Sequence, residues 1–171
     1  TTSMSKKILV IADLHCGHNV GLTPPEDQQQ PVEAGDDPVL HRRNKLAAVQ
    51  SACWNFFSDK VAQFGPYDAI FLMGDLIDGK GSRSSGSEER IARCMEQCNV
   101  ASRIITKVKR HCVSSVEIVM VFGTAYHVDD GGESWEDIIA KDIGAKKIGA
   151  HEWPELEGVV FDLKHHIGNS S

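Results

Sequence analysis

Two short apolar runs break abruptly into ligand-type residues, and nothing else in the chain limits its fold as much. Ile8-Leu9-Val10-Ile11-Ala12 ends in Asp13-Leu14-His15, and Ala69-Ile70-Phe71-Leu72-Met73 ends in Gly74-Asp75-Leu76-Ile77-Asp78-Gly79. Continuous apolar, β-branched runs of this length read as buried strands. Carboxylate, imidazole and glycine at their ends place hard and borderline metal ligands at the carboxyl edge of a sheet, where α/β proteins build their sites. The pattern points to a metal-dependent hydrolase of phosphate esters.

The rest of the chain supplies the elements between these runs. A first strand is expected over 6–13, followed by a long polar connection over 18–40 that carries Pro24-Pro25, Pro31, Gly35-Asp36-Asp37 and Pro38. A connection this long in a compact domain is either functional, here a substrate lid, or a mobile insertion. Leu46, Val49, Cys53, Phe56, Phe57, Val61 and Phe64 recur at helical spacing and predict a helix from His41 to Phe64, closed by Gly65-Pro66. A second strand follows over 67–75, and a loop over 80–87 is flexible by composition. A second amphipathic helix runs from Glu88 to Arg110 with Ile91, Cys94, Met95, Cys98, Ile105 and Val108 on one face. A third strand over 116–122 ends at Gly123-Thr124-Ala125-Tyr126-His127. An acidic turn over 129–133, a short helix through Asp142 and further strands near 146–150 and 159–163 lead to His165-His166. Alternating strands and helices predict an α/β domain over 4–171 with parallel pairing and right-handed crossovers. Thr1-Thr2-Ser3 ahead of Met4 has the look of a cloning remnant.

Composition narrows the function classes. A formal net charge of −6 over 171 residues gives no support to nonspecific nucleic-acid binding by bulk charge. No apolar stretch approaches the ~18 residues of a membrane span. Five cysteines form no regular framework, which suits a reducing, cytoplasmic compartment. Cys94 and Cys98, with His111 and Cys112 beyond them, lack the paired Cys-x-x-Cys spacing of structural zinc sites, so a buried helix face is the preferred reading.

The strand ends together supply Asp13, His15, Asp75, Asp78, His127, and His165 or His166. Alternate residues on a strand point the same way, so Asp13 and His15 are expected to bind one ion together. Asp75 ends the neighbouring strand, and its two oxygens can bridge two cations. Mixed carboxylate and imidazole ligands suit Mn²⁺, Fe, Zn²⁺ or Ni²⁺ better than Mg²⁺ alone. Two such ions about 3.5–4 Å apart clamp a phosphoryl group and acidify a bridging water.

Taken in order, Asp13-x-His15, Gly74-Asp75-x-x-Asp78-Gly79, a later strand ending in glycine and histidine, and a final His-His resemble the calcineurin-like metallophosphoesterase superfamily across the whole chain. The Pro-rich connection ahead of a compact core is also similar to its bacterial and phage-encoded members. The resemblance implies a four-layer αββα sandwich and a dinuclear site with a metal-bound hydroxide as nucleophile. Asp13 and His15 would hold the first metal, Asp75 would bridge both, Asp78 would orient a ligand by hydrogen bonding, and His165 or His166 would hold the second metal. Two departures stand out. The family usually carries Gly-Asn-His and an acid where this chain has Gly123-Thr124-Ala125-Tyr126-His127. Thr124 then stands in for the carboxamide ligand, and His127 serves as general acid or replacement ligand. The late Gly-His-x-His is also missing, which is read as a C-terminally truncated site or as a degenerate version in His165-His166.

Simpler readings apply to other residues. Asp129, Asp130 and Glu133 read as an exposed acidic turn; His18 as a loop histidine able to contact phosphate; His41, His111 and His151 as structural or exposed. Arg42, Arg43 and Arg83 read as helix-start and loop charges, and Trp54, Trp135 and Trp153 as packing residues. The protein phosphatase branch is disfavoured, because Gly79 follows Asp78 where that branch has Arg. A phosphodiesterase, with nucleic acid or a nucleotide as candidate substrate, is the first expectation, followed by a small-molecule phosphomonoesterase. The alternative is a non-catalytic scaffold on the same fold, which the altered third motif favours and the intact acids oppose.

Overall fold

A computed structural model describes residues 5–80, 87–124, 129–130 and 133–166. Its centre is a four-stranded, wholly parallel sheet of β1 (Ile8–Ile11), β2 (Tyr67–Leu72), β3 (Cys112–Val121) and β6 (Lys147–Gly149), in spatial order β1-β2-β3-β6. Three crossover helices join them: α1 (Pro38–Phe64), α2 (Cys94–Lys109) and α3 (Trp135–Ile143). The α/β class read from the sequence is therefore present, although β1 and β2 stop short of the ligand residues they were expected to include.

Each strand is added on the same side of its predecessor, so right-handed crossovers put every helix on one face. The packing agrees. Ile70, Leu72, Ile118 and Met120 face α1, α2 and α3, through Trp54 and Val61, Ile104 and Ile105, and Ile139 and Ile143. The alternate residues Ala69, Phe71, Val119 and Val121 face the other way. That second face is covered by Leu156, Phe161 and Leu163, around a hairpin of β7 (Glu155–Leu156) and β8 (Val159–Val160). Phe161 meets Phe71 edge-on at 5.4 Å. In the acidic stretch β4 (Asp129–Asp130) pairs antiparallel with β5 (Glu133–Ser134).

Three expectations need correction. Of the predicted α1 stripe only Val61 is buried, with Phe57 packed partly against the core; Ala47, Gln50 and Trp54 make up the rest of the buried side, and Val49, Phe56 and Phe64 stay at 42, 68 and 55% exposure. Gln50 is fully buried because it serves the polar connection lying on that face, accepting from the Gln29 N–H and donating to the Asn19 carbonyl. α2 begins at Cys94 rather than Glu88, since the Arg90 and Ile91 N–H groups are drawn to the Gly17 carbonyl. Trp153 is 53% exposed, with its ring 3.9 Å from that of His151, and is not a core residue.

The 18–40 connection lies against the helices. A 3-10 turn over Pro25–Asp27 presents Glu26 to Lys107 at 3.0 Å and Asp27 to Arg103, and Asn44 brackets Val32 with two hydrogen bonds. Among the described residues no helix is long and apolar enough to cross a membrane. None of the five cysteines is in a disulfide; Cys98 is packed in the core, where burial pushes its thiol up to about 12.

Candidate metal centre

The two loops that follow β1 and β2 run side by side, zipped by backbone hydrogen bonds. The N–H groups of Asp13, His15 and Cys16 donate to the carbonyls of Gly74, Asp75 and Leu76, and the Asp78 N–H donates back to Cys16. Leu14, Cys16, Leu76 and Ile77 are buried and anchor these loops in the core. Between these anchors Asp13 is held exposed and His15 half-buried, while Asp75 and Asp78 are buried beside them.

Asp13, His15 and Asp75 converge: one ligand atom from each lies within 4.8 Å of the others. All three sit in the left-handed region, at φ 54°, 43° and 52°. Strand alternation, the expected reason for pairing Asp13 with His15, is not what brings them together, because β1 ends at Ile11 and the chain bends at both residues. Strained non-glycine backbone of this kind costs roughly 1–3 kcal/mol per residue and is held only where the surroundings dictate it.

Imidazole orientation completes the set. The His15 Nδ1 lies 3.1 Å from Asp78 Oδ1; a carboxylate accepts there, so Nδ1 donates and Nε2 is left facing Asp13 Oδ1 at 3.7 Å. This carboxylate–histidine arrangement fixes the tautomer a metal ligand requires. The Asp78 hydrogen bond raises the His15 pKa above 6.5, helped by the charges of Asp75, Asp78 and Asp13 and opposed by partial burial. His165 repeats the pattern. Its Nδ1 donates to the Met73 carbonyl at 2.5 Å, and Nε2 stands 3.1 Å from Asp75 Oδ2. A lone pair aimed at a carboxylate oxygen calls for a proton or a cation between them. His165, not His166, therefore reaches the acid; His166 is exposed, and its ring meets the His165 ring at 4.4 Å.

Thr124 also reaches Asp75, through its N–H to Oδ1 at 2.7 Å and its hydroxyl at 2.9 and 3.0 Å from the two oxygens. Gly123 makes this approach possible: a Cβ there would lie 2.1 Å from Asp75 Oδ1. His127 and Arg83 lie outside the described residues. Cys94, Cys98, His111 and Cys112 do not converge on a metal group among the described residues.

The sequence reading missed Glu136. Fully buried in the first turn of α3, it accepts the Leu76 N–H on Oε1 at 3.1 Å and the Gly123 N–H on Oε2 at 2.8 Å. One carboxylate thus clasps the loops after β2 and β3. Burial pushes its pKa up to about 7, against the two N–H bonds that lower it. An acid directly after Trp135 in an otherwise amphipathic helix carries no spacing signal; only its burial discloses the role. Gln97 does similar work behind the site, bonding both the N–H and carbonyl of Gly79.

Two carboxylates and an oriented imidazole, with a second imidazole on Asp75, form a donor set suited to borderline divalent cations. Beside them opens a cleft of about 540 Å³, lined by Asp13, His15, His18, Asp78, Val20 and Phe56 among others. No protein-family model and no curated protein sequence matches the chain.

Proposed function

We propose that the chain is a metal-dependent phosphoesterase of the calcineurin-like type, acting first on phosphodiesters. The convergence of Asp13, His15 and Asp75, from loops distant in sequence, is the observation that carries this reading. Asp13 and His15 would hold one divalent cation, Asp75 would lie between two, and Thr124 and His165 would serve the second, with Mn²⁺ the preferred ion and Fe, Zn²⁺ or Ni²⁺ as alternatives. Bound there, the cations polarise phosphoryl oxygens and acidify water. The chain's own part is positioning. Asp78 holds the His15 ring, the Met73 carbonyl holds the His165 ring, and Glu136 fixes the distance between the two loops. His127 is assigned the proton for the leaving oxygen.

The finer fold is proposed with the function: β7 and β8, seated on the second face of the sheet, would belong to the second β layer of an αββα sandwich. Five cysteines outside any disulfide support a cytoplasmic setting. One observation favours the scaffold alternative, since the Thr124 hydroxyl already lies 2.9 and 3.0 Å from the two Asp75 oxygens. Hydrolysis of bis-p-nitrophenyl phosphate in Mn²⁺ and in chelator decides between them. Turnover that requires Mn²⁺ and disappears in Asp75→Asn supports the enzyme; no turnover of this diester or of the monoester supports the scaffold.

A further inference from the structure

Part of the predicted apolar stripe of α1 (Val49, Cys53, Phe56 and Phe64) faces outward, and Cys53 and Phe56 do so beside Asp13, His15 and Asp78. Phe56 is 68% exposed and Val20 50%, and they lie together in one patch rather than as scattered single residues. Both line the cleft that Asp13, His15 and Asp78 also line, together with Leu22, Cys53 and Phe57. A second groove shares Leu14, Phe56 and Phe57 with this cleft and continues along α1 and the edge strand β1 to Val10 and Phe64, with a volume of about 290 Å³. The two form one largely apolar track leading away from the acids, with Lys60 lining the second groove.

Charge says what the cleft does not take. Channels that follow a nucleic-acid backbone are lined by Lys and Arg, which neutralise successive phosphates. Among the described residues the first cleft is lined by neither, and the chain carries a net charge of −6. A volume of about 540 Å³ suits a small molecule.

We propose that this cleft accepts a small phosphate ester with an apolar ester group laid against Val20, Phe56 and Phe57, and that it does not accept a polynucleotide. The inference rests on the phosphoesterase reading above. It names the substrate class of that site and assigns Phe56 to specificity.

Cys53 supplies the readout, being an exposed thiol in the cleft while Cys16, Cys94 and Cys98 are buried and Cys112 is half-buried. The Mn²⁺-loaded protein is treated with iodoacetamide in the presence of methylphosphonate, phenylphosphonate, hexylphosphonate or a short oligothymidylate, and Mn²⁺ retention is measured alongside by electron paramagnetic resonance. Phenyl- or hexylphosphonate is expected to protect Cys53 at about tenfold lower concentration than methylphosphonate, from the apolar area each covers. Phe56→Ala and, independently, Val20→Ala should narrow that gap. Stronger protection by the phenyl compound identifies a flat ring, and by the hexyl compound a chain running on toward Val10. Equal protection by all three phosphonates in a protein that retains Mn²⁺ overturns this inference alone. So does oligothymidylate protecting at the lowest concentration. Failure to retain Mn²⁺ overturns the metal reading and this inference with it.

Discussion

Asp13 holds φ at 54° with its side chain 58% exposed, so the residue contributes strain and ligand chemistry but little packing. Asp13→Gly should raise the unfolding midpoint of the metal-free protein, by about 0.5–1 kcal/mol of stability, while weakening Mn²⁺ binding; thermal melts with and without metal check both halves. Asp78→Asn should cost about 10–100-fold in metal affinity by loosening the His15 ring, read by metal titration. Protons compete with metal at His15, whose folded pKa lies above 6.5. Mn²⁺ affinity should therefore rise with pH up to the folded value and level off above it, by at most about tenfold per unit for one released proton. The sign reverses for the stability of the metal-free protein: the contribution of His15 is fully present below 6.5 and is lost as pH rises through the folded value. At this scale the convergence of Asp13, His15 and Asp75 was legible, because Asp-x-His and Gly-Asp-x-x-Asp each follow an apolar run ending at the same sheet edge. Their left-handed backbone was not, since neither Asp nor His advertises positive φ as glycine does.

The elements repeat that division. Crossover helices announced themselves by periodicity, but the buried side of α1 did not, because apolar stripe and buried stripe differ. Gln50 is inside for its hydrogen bonds, and Phe56 is outside beside the cleft. Glu136 shows the same blind spot, being an acid whose task lies in two backbone N–H groups on loops 60 and 13 residues away. Glu136→Gln leaves one of those N–H groups facing an amide N–H₂ and should cost about 1–3 kcal/mol. It should also change the pH profile. A carboxyl raised from 4.5 to about 7 binds its proton more tightly in the folded state, so stability falls as pH rises across that interval, by at most about 1.4 kcal/mol per unit. Denaturant midpoints measured from pH 4.5 to 7 in metal-free protein should slope downward in the parent and lie flatter in Glu136→Gln.

At the scale of the whole molecule the described strands are wound in one direction, with α1, α2 and α3 on one side of the sheet. Its other face, Phe71 and Val119 included, depends on the residues around β7 and β8 for cover. Phe161→Ala should therefore cost about 2–4 kcal/mol despite partial exposure, measured by chemical denaturation. The parallel α/β plan was legible from the alternation of elements; this one-sidedness was not, since strand order is decided by which edge each crossover chooses. Because β1, β2, β3 and β6 follow sequence order across the sheet, each part of the site is contributed by a later element than the one before. Asp13 and Asp75 meet once the second strand pairs with the first. Thr124 closes on Asp75 only with the third, the Glu136 clasp snaps shut when α3 docks, and His165 arrives last. On the metal reading proposed above, a cation would meet Asp13, His15 and Asp75 first and find Thr124 and His165 only once the later elements have docked.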